Sequence, residues 1–230
     1  MLLFEHHSRR NFAQTEVDRL LMIIGLTIPW GFLGAVVFDK IMHVQELSSI
    51  QKSLFQYTGM SFIGGLILAV VIYSFTYGVV FHGYRQFLKH TNSLVPYVAL
   101  AHGFGRIGCF LGACCYGKPS HSIFAVQFPE QSLAVQHYGM VPVLPTQLFE
   151  AGLLLLIFLV TGNAKEKLKL YLIMYGTGRF LLEFLRGDNR GTIGNQVLVS
   201  PSQVVCLVIV LLTLLYMGYQ GITQKKDWKL

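Results

Sequence analysis

Charge is what this sequence has least of, and acid least of all. Charged residues make up 13% of the 230, about half the roughly 25% of an ordinary soluble domain. With 53% hydrophobic residues and a mean hydropathy of +0.53, that shortage excludes a soluble globular domain. It also excludes disorder, which needs low hydrophobicity. Cysteine is scarce too. There are four, and Cys109, Cys114 and Cys115 fall close together beside Gly108, Gly112 and Gly117. That is too few and too bunched for a secreted disulfide scaffold. Residues 1–18 are polar and lack the apolar run and small-residue cleavage site of a signal peptide. No internal repeat or low-complexity tract is visible.

What the chain does have is apolar runs long enough for a bilayer, where a crossing helix needs about 20 residues. Six stand out: Leu20–Phe38, Thr58–His82, Leu94–Gly117, Gln147–Gly162, Leu168–Leu185 and Val199–Tyr219. They predict an all-α polytopic membrane protein of about six transmembrane helices, forming a single integral membrane domain over residues 1–230. The connection of about 120–146 is the longest. Its alternating Phe124, Val126 and Phe128 predict short strands or an interfacial cap outside the membrane. Lys and Arg total 18 against 11 acidic residues, an excess that fits basic loops better than nucleic acid. With the N-terminus inside, the cytoplasmic segments carry eleven of these cations and the outer segments five. This positive-inside bias places both termini in the cytoplasm.

Ionisable side chains at membrane depth carry an insertion cost of at least ~2.5–3.5 kcal/mol each, so their retention marks pairing or function. Here they are His102, Arg106, Glu150, Arg179 and Glu183. Arg179 and Glu183 lie one helical turn apart, with Arg186 close beyond, and can pair on one face. Arg106 has no carboxylate on its own helix, and Glu150 is a candidate partner. The functional alternative is that Arg106 and Arg179 converge on an anion, for which a lipid phosphate suits the planar guanidinium fork. His102 shares a face with Arg106. It is either a structural hydrogen-bonding residue or a general base. The glycines of the third stretch, Gly105 and Gly108 among them, permit either close helix packing or approach of a lipid headgroup.

The three clustered cysteines match no paired C-x₂₋₄-C zinc pattern, so no metal is expected. Apolar packing, a disulfide and a functional thiol all remain open for them.

Several motifs, in order, resemble the prolipoprotein diacylglyceryl transferase family of bacteria. The run Gly105-Arg106-Ile107-Gly108-Cys109-Phe110, with Tyr116-Gly117-Lys118-Pro119 after it, resembles the family signature. Gly59–Gly65 is similar to its second motif and Pro145-Thr146-Gln147-Leu148-Phe149-Glu150 to its Pro-Ser-Gln-Leu-Tyr-Glu segment. Tyr175-Gly176-Thr177-Gly178-Arg179-Phe180, then Glu183, Arg186 and Asp188, resembles its late Arg-rich helix, and Ser200-Pro201-Ser202-Gln203 the turn before its last span.

The resemblance implies a plasma-membrane enzyme that moves the diacylglyceryl group of phosphatidylglycerol onto a lipoprotein-precursor cysteine, releasing glycerol 1-phosphate, with no cofactor. Two essential arginines of the family fall on Arg106 and Arg179. Joined by His102 as candidate base and Glu183 to orient Arg179, both taken from the residue reading, they make the expected catalytic set. Gly105, Gly108, Cys109, Cys114, Glu150 and Arg186 line the substrate. The chain departs from the family at Ile63, where a His is usual, at Cys109 (Asn), at Cys114 (Glu) and at Val36 (Arg). It also begins without one N-terminal span, so it reads as a divergent, shortened paralogue. Two alternatives stay open: a glycerolipid transferase with another acceptor, and a non-catalytic lipid- or partner-binding membrane protein.

Overall fold

The computed structural model describes residues 12–42, 62–187 and 200–227. Seven helices run through them: α1 Gln14–Met42, α2 Phe62–Phe81, α3 Phe87–Leu111, α4 Leu133–Tyr138, α5 Thr146–Gly162, α6 Lys167–Glu183 and α7 Pro201–Asp227. The six longer ones follow the six apolar stretches in order, as a polytopic membrane protein requires. Four contain segments long and apolar enough to cross a bilayer: Gln14–Phe38, Gly64–Phe81, Phe87–Leu111 and Ser202–Ile222. α5 is apolar but shorter, and α6 has the same 17 residues, about 25 Å at 1.5 Å per residue. The third stretch ends earlier than its hydropathy suggests. α3 stops at Leu111, and Ala113 and Cys115 then take positive φ values of 51° and 61°, a left-handed turn that no apolar pattern encodes.

The chain divides into two compact units, residues 1–91 and 92–230. In the first, α1 packs on α2 through small residues. A Cβ on Gly34 would lie 2.7 Å from the Gly64 carbonyl oxygen, and one on Gly65 would lie 2.9 Å from that of Gly31. Apolar lipid provides little drive for helix association, so close backbone contact is what holds such a pair. A buried aromatic group completes this unit: Tyr77 Oη meets His90 Nδ1 at 2.8 Å, and Phe81 stacks on Tyr77.

In the second unit α5, α6 and α7 pack in sequence. Ala99 of α3 meets Leu154 and Ile157 of α5, with Tyr171, Met174 and Tyr175 of α6 against them. Two glycines thin α6 on its two sides. A Cβ on Gly176 would lie 2.6 Å from Val210 Cγ2 of α7, and one on Gly178 would collide with Leu153 of α5. They seat α6 between its neighbours at the level of Arg179.

The cap beyond α3 holds no run of strand. Its pairing is limited to isolated bridges, Gly117 with Arg186 and both Pro119 and Val126 with Val143. The alternating pattern near Phe124 yields single bridges because Phe128 and Val143 turn inward onto Ala113, Tyr116 and Ala134, a small core rather than a sheet. α4 starts at Ser132, whose Oγ accepts from Val135 N at 3.3 Å, and ends at Gly139 with φ +76°.

Candidate functional site

The buried charges of the second unit gather at one place. Arg106 of α3, Glu150 of α5 and Arg179 of α6 are each less than a tenth exposed. Arg106 Nε stands 3.1 Å from Glu150 Oε1, and Arg179 Nε stands 3.8 Å from the same oxygen. Tyr175 Oη donates to it at 2.8 Å. Glu150 is therefore the partner that Arg106 lacks on its own helix, and it serves Arg179 as well.

Arg179 has a second carboxylate. Its Nη1 lies 2.6 Å from Glu183 Oε2, one turn on. The other oxygen, Glu183 Oε1, accepts from Ser200 Oγ at 2.8 Å and Ser202 Oγ at 2.6 Å. The start of α7 is tied in by Gln203, whose Nε2 donates to Phe180 O at 3.3 Å and whose Oε1 accepts from Ser200 N at 2.9 Å. Arg186, also buried, stands within electrostatic reach of Glu183 and of Cys115. Three guanidiniums thus face two carboxylates, and the cluster carries one excess positive charge. Such a group suits an anion.

His102, one turn before Arg106, is half-buried. Its ring meets Tyr175 edge-on, with centroids 5.1 Å apart. His102, Arg106 and Cys109 follow one another at helical spacing along one face of α3. Gly105 and Gly108 lie on the adjoining face. A Cβ on either would meet no atom within 4 Å, whereas one on Gly103 would touch Leu154 at 3.5 Å. Of the α3 glycines considered for helix packing, Gly103 packs, while Gly105 and Gly108 leave open backbone next to Arg106.

Beyond α3 the left-handed turn brings Cys114 and Cys115 back to Cys109, and the three sulfur atoms lie within 4.8 Å of one another. α5 fixes this turn from below. Thr146 Oγ1 donates to Cys115 O at 2.9 Å, and Gln147 Nε2 donates to Cys114 O at 2.6 Å. Hydrogen bonds with the Cys109 and Cys114 side chains, together with the charge of Arg186, hold the Cys115 thiol below the ordinary cysteine range. No disulfide joins any two of the three.

Every residue singled out from the sequence for this site lies in the second unit, and Arg106, Glu150, Arg179 and Glu183 meet there directly. Three participants stand in the quoted motifs but were given no role in the site. Tyr175 was legible in principle, because Tyr175, Arg179 and Glu183 succeed one another at four-residue spacing on one helix face. Ser200 and Ser202 carry no such signal, since only the tertiary contact of α7 with α6 delivers them to Glu183. Residues 59–61 of the second motif and Asp188 lie outside the described residues.

Comparison with known proteins gives a consistent answer. The family model described as prolipoprotein diacylglyceryl transferase matches residues 1–219. A Clostridium perfringens protein named phosphatidylglycerol–prolipoprotein diacylglyceryl transferase 2 is 30% identical over 99% of this chain and 88% of its own length. A Clostridium tetani protein named phosphatidylglycerol–prolipoprotein diacylglyceryl transferase is 30% identical over 92% and 84%. A like-named protein of Dehalococcoides mccartyi is 28% identical over 93% and 82%.

Proposed function

This chain belongs to the prolipoprotein diacylglyceryl transferase family, and we propose on that footing that it transfers the diacylglyceryl group of phosphatidylglycerol to a cysteine thiol of a lipoprotein precursor. The observation that carries the proposal is the sharing of Glu150 by Arg106 and Arg179. One carboxylate holds two guanidiniums side by side where a lipid phosphate needs them.

The reaction joins a thiol sulfur to the glycerol carbon that bears the phosphate. The sulfur–carbon bond forms, the carbon–oxygen bond breaks, and its electron pair leaves with glycerol 1-phosphate. Arg106 and Arg179 hold the phosphate and stabilise the charge that grows on it, a role worth most in a site that excludes water. Glu150 and Glu183 keep the guanidiniums in place, and Tyr175, Ser200 and Ser202 in turn fix the carboxylates. His102, beside the phosphate end of the site, takes the thiol proton by way of water and passes it to the leaving phosphate. Gly105, Gly108, Cys109, Cys114 and Arg186 line the donor and acceptor. The active site faces the outer side of the bacterial plasma membrane, with both termini in the cytoplasm.

The test is incubation of the purified protein with labelled phosphatidylglycerol in micelles and a lipobox peptide carrying cysteine. Release of glycerol 1-phosphate together with a thioether-linked lipid on the peptide is the expected result. Release without lipidated peptide points to another acceptor, and no release at all leaves a lipid-binding protein.

A further inference from the structure

We propose that Cys109, Cys114 and Cys115 form a binding site for one thiophilic divalent cation, Zn²⁺, whose fourth position is open to the thiol of the acceptor. The role of the fourth position rests on the transferase reading above; the three-sulfur site does not.

The geometry is that of a tridentate site. Three thiolates at the ~2.3 Å zinc–sulfur bond length stand about 3.8 Å apart around a tetrahedral ion. The three sulfur atoms here lie within 4.8 Å of one another, so a shift of about an ångström or less closes the site. Linear spacing gives no hint of this, because one ligand comes from α3 and two from the left-handed turn after it. The turn is braced independently of the thiols, by Thr146 and Gln147 on the Cys115 and Cys114 carbonyls. Gln147 Oε1 is also buried without a hydrogen-bond partner, an acceptor beside the site for a water that comes with the ion.

The charge balance favours a dication bound by thiolates. Three thiolates and Zn²⁺ carry one net negative charge, and Arg186 stands beside Cys115 with Arg106 beside Cys109. Three protein ligands leave tetrahedral zinc one exchangeable position, the pattern of catalytic rather than structural sites. A thiol that takes that position binds as the thiolate, and its proton is released to water and thence to His102. The bound sulfur then lies one helical turn from Arg106, on the same face of α3 as the residue that holds the phosphate.

Metal analysis and cobalt substitution test this on the full-length protein in detergent. Purified under reducing conditions with Zn²⁺ supplied, the wild type should hold about one Zn²⁺ per chain. Loading with Co²⁺ should give intense sulfur-to-cobalt charge-transfer absorption, a readout that needs no variant to fold. That band should shift when a cysteine-containing lipobox peptide is added and stay unchanged with its serine counterpart. Cys109→Ser, Cys114→Ser and Cys115→Ser should each weaken metal binding by about tenfold or more, since even the loss of an outer-shell partner has that effect. Cys206→Ser should keep it. Substoichiometric zinc with no cobalt–thiolate band overturns the site, as does a disulfide between any two of the three. A normal metal site whose band ignores the cysteine peptide overturns the role of the fourth position. Metal bound without lipid turnover overturns the transferase reading and leaves the site standing, whereas turnover in metal-free protein overturns the role of the fourth position and leaves the transferase reading standing.

Discussion

Arg106 and Arg179, from two different helices, place their Nε atoms 3.1 and 3.8 Å from a single oxygen, Glu150 Oε1. Arg106 places its inner nitrogen against the protein, and Arg179 its inner nitrogen and Nη1. The nitrogens left for an anion are the outer pair of Arg106 and Nη2 of Arg179, so the fork matters as much as the charge.

Arg106→Ala and Arg179→Ala are each expected to abolish lipid turnover while the protein still inserts in the membrane. Lys at either position should rescue poorly, because an ammonium cannot bind Glu150 and a phosphate in the planar two-pronged way. Glycerol 1-phosphate release from micelles measures both. Full activity in either Ala variant removes the phosphate clamp.

Glu150→Ala takes one carboxylate from two buried guanidiniums. Breaking a buried pair from one side costs about 3–5 kcal/mol, so the variant should lose thermal stability in detergent as well as activity. Glu150→Gln keeps the Tyr175 contact and the volume but not the charge, and should fall between. Unchanged melting in Glu150→Ala would mean that the arginines find another counter-charge.

For His102→Ala the expected cost is roughly 10²–10⁴-fold in turnover, the range for a lost general base, with phosphatidylglycerol binding retained. Glu183 makes a poorer base, since Arg179, Ser200 and Ser202 already occupy it. Near-normal turnover in His102→Ala beside a dead Glu183→Gln would reverse the two roles.

The orientation is open to chemical labelling. Ile123 in the cap is 93% exposed, so a membrane-impermeant maleimide should modify Ile123→Cys on intact spheroplasts above the wild-type background. Gln224→Cys, near the C-terminus, should react only after the membrane is opened. The opposite pattern would turn the site towards the cytoplasm.

Residues that defy their surroundings were the legible ones. Arg106, Glu150 and Arg179 stand out because each interrupts an apolar run, and the positive-inside count needs only loops. Sequence spacing paired Arg179 with Glu183 through helix periodicity, and it offered Glu150 to Arg106 because the helix that carries Arg106 has no acid of its own. It had no means of showing that Glu150 serves both arginines, which depends on Gly176 and Gly178 letting α6 sit between α5 and α7. The cysteine cluster was hidden for a different reason. Its convergence depends on positive φ at Ala113 and Cys115, and neither alanine nor cysteine advertises a left-handed turn.

The sharing of Glu150 also fixes an order of events during biogenesis. Translation delivers α3 before α5 and α5 before α6, so Arg106 enters the bilayer ahead of the carboxylate that neutralises it. At that moment a lone guanidinium opposes insertion by ~2.5–3.5 kcal/mol or more. The outward residues of the same helix, Val98, Phe104, Ile107 and Leu111, all well exposed, are what α3 offers the lipid in return. When α5 arrives, its Glu150 both relieves α3 and brings a buried acid of its own, so neither helix settles without the other. Arg179 arrives last, on the more polar α6, and docks onto a pair already made. The charge pattern around Glu150 thus also dictates the sequence in which the bundle closes.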